Sequence, residues 1–154
     1  MLVLSLVLMM SWCAFAHHTT KATQITILGD QVKWVNAPPM LPSGAMMAVL
    51  EGNPMKPGPF TIRMKAPAAY KIPPHWHSAD EHITVLSGTL NLGMGGKFDT
   101  SMGKSLPAGS YIVLPAGMKH FAWTDEETVI QLHGMGPWNI TYVNPADNPM
   151  KHKQ

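Results

Sequence analysis

The stretch "PPHWHSADEHITVLSG" sets two histidines one residue apart, with a glutamate four residues after the second. Neutral imidazoles and a carboxylate are ligands for divalent transition metals. In an extended strand, side chains alternate between faces, so His75 and His77 project the same way, about 6.6–6.8 Å apart along the strand, while Trp76 faces away. Two imidazoles so placed can converge on one ion above the strand. Ser78-Ala79-Asp80 reads as a tight bend, after which Glu81 leads a strand back beside its predecessor and brings a carboxylate to the same ion. One hairpin cannot surround a metal, so a further ligand is expected from another strand. "GSYIVLPAGMKHFAWT" offers His120, just after the sharp turn Pro115-x-Gly117. The bland alternative leaves these histidines on the solvated face of a strand.

The elements around these residues read as strands. From Val32 onward the chain is a succession of short runs rich in Val, Ile, Thr, Met and aromatics: "VKWV", "AMMAVLEG", "FTIRMKAP", "HITVLSG", "TLNLGMG", "SYIVLPAG", "KHFAWT" and "ETVIQLHGM". With 14 prolines and 13 glycines punctuating 154 residues, no helical apolar period survives beyond two turns. An all-β sandwich or barrel follows. The length suits one domain, and 45% hydrophobic residues suffice for its core. The boundaries read as a leader at 1–16, a lead-in at 17–31, the barrel at 32–143 and a C-terminal tail at 144–154.

The same residues carry a family likeness. "HWHSADEHITVLSG" resembles the first motif of the cupin superfamily, two His and a Glu followed at fixed distance by a Gly, here Gly88. "GSYIVLPAGMKH" resembles its second, with Gly109, Pro115-x-Gly117 and His120. The likeness runs from Tyr70 to Trp123 and departs at Thr124, where the second motif often ends in a structural Asn. It implies a single-domain cupin-type jelly-roll β-barrel of six to eight strands. Inside it one divalent transition metal (Fe, Mn, Ni, Cu or Zn) would be held by His75, His77, Glu81 and His120. Small exported bacterial cupins are the nearest kind; the likeness names a fold and a site and leaves the reaction open.

Other residues read more plainly. His82 should face away from the ion, at the surface. His133 shares a strand face with Gln131 and Val129, and alternation does not say which: it is a hydrogen-bond partner of a metal ligand, a pocket wall or a satisfied core histidine. Met46, Met118, Met135, Phe121, Trp123 and Trp138 are expected to fill the core, though they would also suit a pocket lining. Arg63, the only arginine, can clamp a substrate carboxylate or lie on a solvated strand position. His17 would chelate copper if it became the N-terminus.

"MLVLSLVLMMSWCAFA" is uncharged, apolar and ends in Ala14-Phe15-Ala16, the small-x-small pattern of a secretory leader cleaved before His17. The run is shorter than the roughly 18 residues a membrane span wants. A periplasmic or secreted protein without a stable membrane anchor is expected, and free of thiols, since Cys13 would leave with the leader. A net charge of +2 with scattered basic residues argues against a nucleic-acid partner. The expected partner is a small molecule; a homodimer is left open. With no phosphate loop or other nucleophile in view, the metal is the visible chemical actor, Glu81 its catalytic carboxylate. Two functional classes follow. One is a metalloenzyme of oxygenase or isomerase type acting on a small oxygen-bearing molecule. The other is a binding protein whose ion is structural or recruits a ligand without turnover.

Overall fold

Short apolar runs cut by Gly and Pro cannot close helical turns, and they pair as strands instead. The computed structural model describes residues 23–152, so the leader 1–16, Cys13 and His17 lie outside the described residues. Eleven strands occur among the described residues: β1 (Val35–Asn36), β2 (Met46–Glu51), β3 (Gly58–Ala66), β4 (Lys71–His77), β5 (Glu81–Ser87), β6 (Thr89–Met94), β7 (Gly103–Pro107), β8 (Tyr111–Leu114), β9 (His120–Trp123), β10 (Thr128–Gly136) and β11 (Ile140–Tyr142). They exceed the six to eight expected, in part because β1 and β11 are edge strands of only two and three residues. The helices described are short 3-10 turns.

Two antiparallel sheets result, ordered β1-β2-β3-β10-β5-β8 and β11-β4-β9-β6-β7. From β3 onward the chain changes sheet at almost every connection, which is the winding of a jelly-roll barrel. This winding differs from the hairpin that the sequence predicts between His77 and Glu81. β4 and β5 do not form a hairpin: the bend Ser78–Asp80 carries the chain across the barrel, and Glu81 opens β5 in the sheet opposite His75 and His77. It is β9, carrying His120, that lies beside β4.

Alternation then builds the core. Phe60, Ile62 and Met64 of β3 point inward with Ile83 of β5 and Leu132 of β10, facing Leu92 of β6. Arg63, one residue out of phase, lies on the outer face, where its Nε donates to Gln131 Oε1 at 3.0 Å. It therefore cannot clamp a ligand inside. Phe121 and Trp123 likewise leave the barrel interior: they stack with each other on the outer face of their sheet, beneath Phe98. Phe121 is fully buried there because Gly93 leaves its ring the room a Cβ would occupy.

Gly88 turns the corner between the sheets. Its φ is +70°, and an added Cβ would lie 2.5 Å from the Glu127 carbonyl oxygen, so both backbone conformation and space demand glycine. Gly88→Ala should cost about 2 kcal/mol or more. Urea unfolding would detect this as a lower midpoint with unchanged slope.

Candidate metal centre

Two prolines shape the strand that carries the first histidines. In the β4–β9 ladder Ile72 faces Ala122 and His75 faces His120, so β4 holds one more residue than its partner and bulges at Pro73-Pro74. Neither proline has an N–H to lose from the ladder. The bulge turns the Pro73 carbonyl toward His75, whose Nδ1 lies 2.7 Å from it. Beyond the bulge, alternation resumes and sends His75 and His77 inward, both buried, with Trp76 half-buried on the other side.

The two turns that deliver the remaining residues hold each other. Asp80 Oδ1 accepts from the Ala116 N–H at 2.8 Å, and Gly117 N–H donates to the His77 carbonyl at 2.9 Å. Glu81 and His120 are thereby brought to the same depth. Thr124 fills the place of the motif's usual Asn with its hydroxyl, which donates to the Pro67 carbonyl at 2.6 Å.

Each of the three inward histidines rests Nδ1 on a backbone carbonyl: Pro73 for His75, Asn139 at 2.6 Å for His77 and Met118 at 2.9 Å for His120. A carbonyl only accepts, so each Nδ1 carries the proton and each Nε2 is left a lone pair, the tautomer a metal ligand needs. The ligand atoms of His75, His77 and His120 lie within 4.8 Å of one another, so the trio can hold a metal ion. Glu81 Oε2 stands 3.4 Å from His77 Nε2 and 3.5 Å from His120 Nε2. Among the described residues, neither His77 Nε2 nor Glu81 Oε2 has a hydrogen-bond partner, and both are cut off from solvent. Lone pairs aimed at a buried carboxylate oxygen with no proton between them repel, and a cation removes that repulsion. The residues fit a divalent ion.

Burial also favours the neutral form of His75 and His77. His75 is held well below the usual 6.5, first by desolvation, then by the neighbouring His120 and His77. His77 is lowered by desolvation too, against the opposing pull of Glu81. A proton bound more weakly in the folded than in the unfolded state makes stability rise with pH. This contribution is complete above pH 6.5, the unfolded value, and lost as pH falls below it through the folded values. Metal-free protein should therefore resist urea less at pH 5 than at pH 7.5; equal midpoints would contradict neutral buried histidines.

The trio sits at the wall of a cavity of about 470 Å³ that is otherwise lined chiefly by apolar side chains. Its roof includes Pro38, Met40 and Leu41, held by two phenols: Tyr70 donates to the Pro42 carbonyl at 2.7 Å and Tyr142 to the Met40 carbonyl at 2.8 Å. Burial and, secondarily, Asp147 push the Tyr142 hydroxyl up to about 12, so it stays a donor. Trp138 stacks on His77 at 4.2 Å and lines the cavity. Of the six large apolar residues named from the sequence it alone does so: Met118 and Met135 are exposed, and Phe121 and Trp123 pack outside. His133 belongs neither to the wall of this cavity nor to the core. It lies half-buried on the outer face, opposite His82.

A family model for the ChrR cupin-like domain matches residues 22–139. This chain belongs to that family of cupins. A search of curated proteins finds no match. The polyketide cyclase RemF from Streptomyces resistomycificus is similar in structure, with a TM-score of 0.66, 18% identity and coverage of 86% of this chain and 94% of that one. So is an acetylacetone dioxygenase from Acinetobacter johnsonii, with a TM-score of 0.61, 20% identity and coverage of 84% and 83%. At such identities the likeness is one of fold. Within the site of this cupin, the residues missed from sequence are Asp80 and Tyr142. Asp80 had a signal, a carboxylate in a tight bend; Tyr142, in a three-residue strand, had none.

Proposed function

We propose that this cupin is an exported metalloenzyme acting on a compact, partly apolar molecule with adjacent oxygen atoms, by oxygenase- or isomerase-type chemistry. The carrying observation is the convergence of three Nε2 lone pairs and the Glu81 oxygen, without a proton donor, at the wall of an apolar cavity. His75, His77 and His120 would hold the ion, with Glu81 as the fourth ligand. When bound, such an ion supplies Lewis acidity and a place where substrate oxygens, or dioxygen, can be held together. Sulfur-free N and O donors suit Fe, Mn, Ni, Cu and Zn alike, with Cu and Zn favoured by intrinsic affinity.

The chain's own residues supply the rest. The carbonyls of Pro73, Asn139 and Met118 fix the imidazole planes. The apolar walls exclude water and accept the hydrocarbon part of a ligand. Glu81, the carboxylate of the set, sets its charge and can take a proton at Oε2 from a bound substrate. Export rests on the leader-like residues 1–16.

A second reading is favoured by the nearness of Glu81 to two of the histidines. If all four groups enclose a tetrahedral ion, the site is closed and the protein binds without turnover. The test is a screen of iron-, manganese-, copper- and nickel-loaded protein against diketones, catechols, flavonols and sugars. Oxygen uptake or rearrangement of any of them supports the enzyme. Failure of all four forms favours the binding protein.

A further inference from the structure

We infer that the outer face of the first sheet carries a second, weaker site for a nitrogen-preferring divalent ion such as Cu2+, Ni2+ or Zn2+, formed by His82 and His133. The two residues are direct partners across the antiparallel β5–β10 ladder, so their side chains leave the sheet side by side. Their rings stack with centroids 4.8 Å apart and planes 21° from parallel. Stacked imidazoles give each other no hydrogen bond, and the His133 ring has no hydrogen-bond partner among the described residues.

His82 is held in place by a phenol: its Nδ1 lies 2.7 Å from the Tyr111 hydroxyl oxygen, on the neighbouring strand β8. A hydroxyl can accept as well as donate, so His82 can take the tautomer in which Nδ1–H donates to the phenol oxygen and Nε2 is free for an ion. Two Nε2 atoms sharing one ion at about 2.0–2.1 Å each stand roughly 3.0–3.4 Å apart. Turning two partly exposed rings about their side-chain bonds reaches this from the stacked pair, with the backbone unmoved. Both histidines line an open groove that also holds Asp80, whose negative charge favours a cation there. Water completes the coordination, which makes the site weaker than the inner one.

The outer pair shares no ligand with the inner trio. Glu81 and His82 are successive residues of β5, so one points into the barrel and the other out of it. The two sites can therefore be lost separately.

Equilibrium dialysis of the full-length protein against Zn2+ tests this. The wild type should bind one ion tightly and a second more weakly. His82→Ala and His133→Ala should each weaken the second step by roughly 10-fold or more, because a single imidazole loses the advantage of chelation, and both should keep the first. His82→Gln and His133→Gln repeat the measurement should an alanine variant fail to fold. His77→Ala should show the reverse, losing the tight step and keeping the weaker one. A single binding step in the wild type, or a second step that survives in either outer variant, would overturn the site. So would its disappearance on replacing His17 and His18.

Discussion

Stripping the ion from this cupin with a chelator should lower its melting temperature by about 10 °C or more. Removing the cation leaves His77 Nε2 and Glu81 Oε2 facing each other at 3.4 Å, both dehydrated and neither bridged by a proton. A ligand that binds only the folded state at about a thousand times its dissociation constant contributes roughly 4 kcal/mol. In a domain of this size each kcal/mol is worth about 3–5 °C. Scanning calorimetry with and without chelator, followed by re-addition of Zn2+, measures the loss and its recovery. An unchanged melting temperature on stripping would mean that the ion sits on an exposed site and not among these buried groups.

The second large effect is expected at Glu81. Replacement by Gln keeps the shape of the side chain but removes its charge, and its amide N–H can donate to the Nε2 lone pairs of His77 and His120 that would otherwise meet the ion. Metal affinity should fall by at least about 10- to 100-fold, the cost of altering even a group that supports a metal ligand. Protein saturated with metal should then lose about 100- to 10,000-fold in turnover, the range of a general base. Arg63→Gln is the control, since Arg63 lies on the outer face and bonds Gln131. Glu81→Gln with full turnover would remove the carboxylate from the chemistry, while the three histidines would keep their place.

The inward histidines were legible because alternation after a strand-like dipeptide is a local property, and His75-Trp76-His77 obeys it. The barrel's closure was not local. The sequence reading returned Glu81 beside β4, whereas the bend Ser78–Asp80 crosses to the other sheet; a three-residue turn looks the same in both cases. β7 and β11 carry no strand signal either, because "GKSLP" contains Gly, Lys and Pro and "ITY" is too short to show a period. Both are edge strands, where one partner suffices and composition is free to vary. β4 itself, "KIPPHWH", reads poorly as a strand, since its two prolines are tolerated only because the ladder bulges there. Phe121 and Trp123 misled for a different reason. Burial outside the barrel, under Phe98 and against Gly93, has the same composition as burial inside it.

The backbone carbonyls that set the tautomers, those of Pro73, Met118 and Asn139, carry no side-chain signal at all. They decide which nitrogen meets the ion, and so they make the central claim open to direct measurement. Crystals of metal-loaded protein, measured on both sides of the absorption edge of the ion, should show one anomalous peak in the cavity. It should lie about 2.0–2.2 Å from Nε2 of His75, His77 and His120. A peak bonded to Nδ1 of any of the three, or no peak among them in fully loaded protein, would contradict the account.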